Sequence, residues 1–257
     1  MTAGSGGPLR VAVESSGSVG SVAVAAGGDV LGRVFLGERG AHAGTLVPAL
    51  EEVLEEGGVR REAIEGVVVG GGPGSFTGVR VAAATAKGLA HALSVPLWPV
   101  SSLAAAAATD LALPPEVGAW NVPRDFAAST ATSAAAPGRG VPRYVLFDAR
   151  GDRVYAACFR FAPRFEVLVR PSATTVAEVL AGPLPDGACF MGDGALRHAD
   201  RIQDLGLPVL PAPAGVATAD GLVWIVAAEG GPGPVNDPWR WEPDYLRASG
   251  AERARGR

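Results

Sequence analysis

Residues 70–87, GGGPGSFTGVRVAAATAK, decide how this chain folds. They follow a β-branched run, Gly66–Val69, which predicts a buried strand, and they lead into residues 79–93, which predict a helix. The turn between them consists of Gly72, Pro73, Gly74, Ser75, Thr77 and Gly78. A strand, a glycine turn and a helix can present free N–H groups to an anion, but this spacing matches neither GxGxxG nor GxxxxGK[ST]. A tight structural turn and an anion-binding turn both stay open.

The hydroxyl residues of this turn have a local explanation. Ser75 and Thr77 stand at the start of the predicted helix, where side-chain oxygens accept from unpaired N–H groups. A nucleophile elbow around Ser75 would need glycines at the positions of Pro73 and Thr77. We therefore expect both hydroxyls to cap the helix.

An acid at the tip of a strand occurs once in each half of the chain. The segments LRVAVESSG, from Leu9, and RYVLFDARG, from Arg143, each predict a strand that ends at an acid, Glu14 or Asp148, with a glycine three residues later. Further strand patterns follow each acid. This weak internal repeat predicts two halves of similar architecture, and it resembles the actin-like ATPases, which hold nucleotide phosphates between their lobes.

Composition divides the chain into four parts. Residues 8–113 form a first lobe, and residues 114–142, rich in Pro, Ala, Ser, Thr and Gly, predict a low-complexity linker or insertion. Residues 143–247 form a second lobe, and residues 248–257 are a basic tail. We expect the tail to be solvated.

Bulk properties exclude several classes of protein. The 257 residues carry a formal charge of −4, which argues against a broad nucleic-acid-binding face. No apolar run is long enough to span a membrane, and the N-terminus lacks the pattern of a signal peptide, so we expect a cytoplasmic protein without membrane contact. Cys158 and Cys189 lie in apolar strand-like segments and are expected to be buried free thiols.

Few residues are arranged for chemistry. The three histidines are far apart and no metal site is legible. Glu14 and Asp148 are the acids that an actin-like cleft would use beside a metal–phosphate group. They support one alternative function, an autonomous ATP-dependent kinase or carbamoyltransferase.

The longest motif carries a family resemblance. GPGSFTGVR followed by ATAKGLAHALSVPLWPVSSL resembles the TsaB/YeaZ family of bacterial tRNA threonylcarbamoyladenosine (t6A) biosynthesis. The segments AVESSGSVGSVAV, FDARGDRVYAACF and PDYLR are also similar to the family, although Glu14 stands where an Asp is more usual. The resemblance implies an α/β, two-lobed actin-like ATPase fold (ASKHA, RNase H-like) with mixed sheets flanked by helices.

The resemblance also implies a function. The chain would be a non-catalytic subunit that heterodimerises with and activates a TsaD-type catalytic subunit, with a TsaE-type ATPase joining the complex. The complex would form t6A at adenosine 37 of tRNAs that read ANN codons, and this chain would meet tRNA only indirectly. It would require no cofactor and no metal, while weak ATP or ADP binding in a degenerate cleft and a homodimer both stay open.

The partner interface is expected on two helices of the first lobe, residues 43–56 and 79–93. Paired with the same helices of a homologous subunit, they would make a four-helix contact. The candidate interface residues are Val47, Phe76, Val79, Arg80 and Ala83. Core packing explains most apolar positions of these helices, and sequence does not separate core from interface.

Overall fold

A computed structural model describes residues 6–17, 19–36, 42–113 and 137–246 of the chain. Nine strands in these ranges form two sheets. They are β1 (Leu9–Glu14), β2 (Gly20–Ala26), β3 (Asp29–Leu36), β4 (Gly66–Gly70), β5 (Leu97–Val100), β6 (Arg143–Asp148), β7 (Arg153–Arg160), β8 (Glu166–Thr175) and β9 (Cys189–Met191).

The two sheets share one topology. The first has the order β3-β2-β1-β4-β5 and the second the order β8-β7-β6-β9. In each, the strand that ends at the acid pairs antiparallel with the next strand and parallel with a later one, so β1 lies between β2 and β4 while β6 lies between β7 and β9. The predicted internal repeat and the two-lobed actin-like fold are confirmed.

The helices lie on the faces of these sheets and between them. They are α1 (His42–Glu56), α2 (Phe76–Leu93), α3 (Ser102–Ala112), α4 (Val176–Ala181), α5 (Asp193–Arg197), α6 (Ala199–Gln203) and α7 (Ala219–Ala227). A short 3-10 turn covers Arg61–Ala63. Helix α2 begins at Phe76, three residues earlier than its predicted start, because Ser75 caps it.

Helices α3 and α7 connect the lobes through a single core. Helix α7 packs on α3 and on strands of the first sheet, and α3 also packs on β6 and β7 of the second sheet. The side chains of residues 104–108, all alanine, are fully buried in this layer. Small side chains are needed there because two helices and two sheets approach one another closely.

Polar contacts reinforce the junction. Arg33 of β3 donates from Nε to Oδ1 of the fully buried Asp220 of α7 at 2.8 Å. The N–H of Ala219 donates to Ser21 Oγ at 2.8 Å, which ties the start of α7 to β2. Because these bonds join residues nearly 200 positions apart, they fix how the end of the chain returns to the first lobe.

The end of the described chain lies on the first lobe. The N–H of Val235 donates to Leu97 O of β5 at 2.9 Å, and the N–H of Asp244 donates to Gly71 O at 2.9 Å. Residues 235–246, predicted within the second lobe, thus also contact the first lobe: Val235 bonds to β5, the edge strand of the first sheet, and Asp244 to the residue after β4. Unpaired strand edges invite association with other chains, and the bond from Val235 occupies one carbonyl of this edge.

Other sequence-based expectations fall partly outside the described residues. Residues 114–136 of the predicted linker and the basic tail 248–257 lie outside them, whereas residues 137–142 lead directly into β6. Cys158 and Cys189 are free and buried, as expected. None of the helices in the described ranges combines the length and apolar character needed to cross a membrane.

Candidate functional site

The glycine turn is filled by its own chain. The N–H of Ser75 donates to Ser16 O at 2.7 Å, and a Cβ at Gly74 would lie 2.5 Å from the same oxygen. On the other side of the turn, Ser102 donates from its N–H to Gly72 O at 2.8 Å. Close backbone approach explains the glycines, so of the two roles left open, the geometry supports a tight structural turn.

Ser75 is the N-cap of α2. Its hydroxyl accepts from Gly78 N at 3.3 Å, as expected. Thr77 is exposed and lies inside the helix, so the expectation that it also caps α2 is corrected. Gly78 packs against Ser15, whose hydroxyl donates to Gly78 O at 2.7 Å. The turn and the residues after β1 therefore hold each other.

Glu14 is sealed inside the first lobe. Its exposed fraction is 0%, Oε1 accepts from Ser16 N at 2.6 Å, and Oε2 accepts from Ser102 Oγ at 2.9 Å. A Cβ at Gly70, the neighbouring residue on β4, would collide with this carboxylate. Burial raises the pKa of Glu14, and the hydrogen bonds from Ser16 and Ser102 oppose that rise. The carboxylate serves the turn and has no open face toward a substrate.

Asp148 lies in a different setting at the tip of β6. It is partly exposed, its Oδ1 accepts from Arg150 N at 3.0 Å, and its Oδ2 accepts from Arg197 Nη1 at 2.9 Å. Its own N–H donates to Asp193 Oδ1 at 2.9 Å. Glu14 and Asp148 thus have separate sets of hydrogen-bond partners, and among the described residues no third side chain links them.

Among the described residues, no group of three or more His, Cys, Asp or Glu side chains could hold a metal ion.

The five candidate interface residues divide by exposure. Val47 of α1 has an exposed fraction of 59% and Phe76 of α2 one of 36%, and Arg80 is also exposed. Val79 and Ala83 have exposed fractions of only 2% and 5%, so their side chains pack against the rest of their own chain. The core face of α1 is formed by Leu46, Ala49, Leu50 and Val53. Exposure in the structure thus distinguishes Val47 from the buried apolar residues of α1, a distinction that the sequence did not give.

The C-terminal segment forms a groove with α2. This feature, called the α2 groove below, has a volume of about 470 Å³ and is lined by Phe76, Arg80, Ala83, Ala84, Lys87, Glu242, Pro243 and Tyr245. The guanidinium of Arg80 lies 3.8 Å from the ring centre of Phe76, and its Nε donates to the Tyr245 hydroxyl at 3.4 Å. The rings of Phe76 and Tyr245 are 5.5 Å apart.

Sequence reasoning missed the second wall of this groove. The sequence did not predict Lys87, Glu242 or Tyr245 as interface residues, although Tyr245 belongs to the PDYLR segment that resembles the TsaB/YeaZ family. Phe76, Arg80 and Lys87 lie at i, i+4 and i+11, which places them on one face of a helix. That spacing was readable, but the approach of a segment about 165 residues away was not.

Sequence comparisons match this chain to proteins named for threonylcarbamoyl modification of tRNA. A family model described as TsaD, tRNA N6-adenosine threonylcarbamoyltransferase, matches residues 38–120, the stretch that contains α1, α2 and α3. The tRNA threonylcarbamoyladenosine biosynthesis protein TsaB of Haemophilus influenzae is 41% identical over 66 residues, or 26% of this chain and 28% of that protein. The Bacillus subtilis protein of the same name is 39% identical over 67 residues, or 26% and 29%. The chain thus matches less than a third of the length of these relatives.

A solved structure extends the similarity to almost the whole chain. A Pseudomonas aeruginosa protein described as similar to peptidase YEAZ superposes with a TM-score of 0.69 at 25% identity. The match covers 93% of this chain and 100% of that structure. The local sequence matches and the fold-wide match both point to the TsaB/YeaZ family, which the chain resembles in the sequence of its first lobe and in its fold.

Proposed function

We propose that this chain is a non-catalytic subunit for t6A formation at adenosine 37 of tRNAs that read ANN codons. It pairs with a TsaD-type catalytic subunit and keeps that subunit active, while a TsaE-type ATPase and tRNA join through the complex. The observation that carries the proposal is the exposure of Val47 and Phe76 on the neighbouring helices α1 and α2. Large apolar side chains exposed on adjacent helices favour a protein partner.

The names of the relatives support a role in t6A biosynthesis, and the exposed helices support pairing through a four-helix contact. Two relatives are named for t6A biosynthesis, and the TsaD model matches the part of the chain that contains both exposed helices. A homologous subunit would carry equivalent helices, so two pairs could pack as a four-helix contact. A homodimer would use the same surface and would therefore compete with the heterodimer.

The buried acid argues against catalysis by this chain alone. Glu14 is the acid that an autonomous ATP-dependent enzyme would need in the first lobe, and its oxygens are engaged by Ser16 and Ser102. Catalytic carboxylates must reach the reacting group or its metal within hydrogen-bond distance. We propose that the chain requires no cofactor for its role. Weak nucleotide binding, if measured, would then be independent of Glu14.

Reconstitution tests the proposal. The chain is mixed with the TsaD-type subunit of the same organism, and heterodimer formation is measured by analytical ultracentrifugation. Formation of t6A is measured with the synthase, the TsaE-type ATPase and tRNA, with and without this chain. We expect a heterodimer, and t6A only when both subunits are present. Formation of t6A by the isolated chain, or its full yield without the chain, would contradict the proposal.

A matched pair of variants locates the interface. Val47→Glu places a charge in the proposed contact and should weaken the heterodimer about tenfold or more, because an unpaired charge would be buried there. Leu205→Glu makes the same change at a position of equal exposure, 58% against 59%, far from α1 in sequence and in the second half of the chain. Equal losses in the two variants would remove α1 from the interface.

A further inference from the structure

The α2 groove contains two cations with unused donors. Nε of Arg80 donates to Tyr245, but within the part of the chain that the structure describes, Nη1 and Nη2 of Arg80 have no hydrogen-bond partner. Nζ of Lys87 donates to Trp239 O at 3.2 Å, which uses one of its three N–H bonds. Both side chains can therefore donate further hydrogen bonds to negatively charged groups.

Arg80 is held in place before any ligand arrives. Phe76 stacks on its guanidinium, and Tyr245 contacts it through both the hydroxyl and the ring, whose centre lies 5.6 Å from the guanidinium carbon. A planar guanidinium fixed between rings loses less side-chain entropy when it pairs with a carboxylate. Tyr245 is thus a positioning residue for Arg80.

The two cations have a defined spacing. Residues 80 and 87 are two helical turns apart, which places them on the same side of α2 and about 10 Å apart along its axis. Ala83 and Ala84 lie between them in the groove and leave room for side chains from outside. A partner helix with acidic residues separated by two turns matches this spacing.

We propose that the α2 groove receives acidic side chains from a helix of the TsaD-type subunit, one on Arg80 and one on Lys87. The inference rests on the proposed function and deepens it by naming the chemistry of the contact. Charge complementarity supports it: α1 of this chain, in the segment that matches the TsaD model, exposes Glu51, Glu52 and Glu55. Glu51 and Glu55 are one helical turn apart, so they illustrate the sign of the charge and not the spacing. A homologous helix with acids of this kind two turns apart would complement the groove.

Nucleic acid fits the groove less well than a protein carboxylate. Glu242 lines the same groove, and the exposed glutamates of α1 lie on the helix adjacent to α2. A continuous phosphate backbone would be repelled by these acids, whereas single carboxylates can be directed to Arg80 and Lys87.

Charge reversal tests the proposal. Affinity for the TsaD-type subunit is measured by isothermal titration calorimetry at low and high salt, for the full chain and for Arg80→Glu and Lys87→Glu. Each reversal should weaken binding at least about tenfold at low salt, and the loss should shrink at high salt because charge pairs are screened. Arg170→Glu, an exposed reversal on β8, is the control and should change affinity less than about twofold.

Two variants of Tyr245 test the positioning role. Tyr245→Phe keeps the ring and loses the hydroxyl, whereas Tyr245→Ala frees Arg80 from both contacts. Affinity for the TsaD-type subunit should fall in the order wild type, Tyr245→Phe, Tyr245→Ala. When Arg80→Glu is already present, adding Tyr245→Ala should lower the affinity little further. Thermal denaturation of each variant shows whether the fold is retained, and additive losses in the double variant would overturn the positioning role.

The outcomes separate this inference from the proposed function. If the wild-type chain does not bind the TsaD-type subunit, the proposed function fails. If it binds and both reversals bind equally well, only the groove proposal fails. The groove proposal is also overturned if the reversals leave that affinity unchanged but dissociate a homodimer in sedimentation equilibrium, or abolish binding of tRNA to the isolated chain.

Discussion

Gly221 of α7 lies directly against the carbonyl of Ala105 of α3. A Cβ at Gly221 would collide with that oxygen and would lie 2.9 Å from Thr109 Oγ1. Thr109 Oγ1 is in turn 3.0 Å from Thr218 Oγ1, the N-cap side chain of α7. The two helices therefore approach one another through backbone and small groups, and this contact unites the lobes.

A single methyl group at this contact should destabilise the protein. We expect Gly221→Ala to lower the free energy of unfolding by about 2 kcal/mol or more, because backbone atoms of α3 must move. Gly88→Ala is the matched control, since Gly88 is an exposed residue inside α2 with nothing within 4 Å of the added Cβ. It should stabilise by about 0.5–1 kcal/mol. Chemical denaturation measures both, and a stable Gly221→Ala variant would contradict the close contact.

The ion pair between Arg33 and Asp220 should matter more than an exposed pair. Arg33→Ala leaves the fully buried Asp220 without its cation, and we expect a loss of about 3 kcal/mol in the free energy of unfolding. Arg61→Ala removes the exposed pair with Glu62 and should cost no more than about 1 kcal/mol. Similar losses in the two variants, measured by urea denaturation, would show that Asp220 is not sealed as described.

Glu14 should give the protein a characteristic pH dependence. Because the pKa of Glu14 is raised, the folded protein holds this proton more tightly than the unfolded chain does. Its contribution to stability is fully present below the ordinary glutamate pKa, about 4.3, and is lost as pH rises through the raised value. Glu14→Gln cannot titrate. The Tm of Glu14→Gln minus the Tm of wild type should therefore increase from pH 4 to pH 8. The increase should be about 2–4 °C for each kcal/mol of stability that wild type loses over this range.

Glu62 supplies a control of opposite sign. A backbone hydrogen bond and Arg61 lower the pKa of Glu62, so its favourable contribution is present at neutral pH and is lost in acid. Over pH 4 to pH 8, Glu62→Gln should therefore lose stability relative to wild type only near the ordinary glutamate pKa, about 4.3, and stay constant above it, with a small amplitude since the group is exposed. A Glu14→Gln difference in Tm that is constant across this range would contradict the raised pKa.

The two cysteines should be chemically silent in the folded protein. Burial raises the pKa of Cys158 to about 12 and that of Cys189 to about 11, and both thiols are shielded from solvent. Since the thiolate is the reactive form, DTNB at pH 8 should label neither residue in the native state. In guanidinium chloride, both cysteines of the chain should react. Rapid labelling of the native protein would show local opening of the second sheet.

Much of the local structure was readable from sequence. The β-branched run before Gly70 predicted a strand, and the breaker-free stretch after Gly78 predicted a helix, because side-chain periodicity and turn residues act over a few positions. The acids at Glu14 and Asp148 marked the same place in each lobe for that reason. Their accessibility was a different matter, because it depends on Ser102, which comes from α3 and covers Glu14.

The sequence by itself determined the strands that end at Glu14 and Asp148, the strand before the glycine turn, helices α1 and α2, and the repeat of two lobes. Only the tertiary structure decided that Glu14 is sealed, that Val47 faces outward, and that Tyr245 holds Arg80 across 165 positions. Patterns along a chain report which face of an element is apolar, but not which of several apolar faces is covered by the rest of the same molecule. That choice follows from how distant segments pack: α3 covers Glu14, and the returning C-terminal segment covers part of α2.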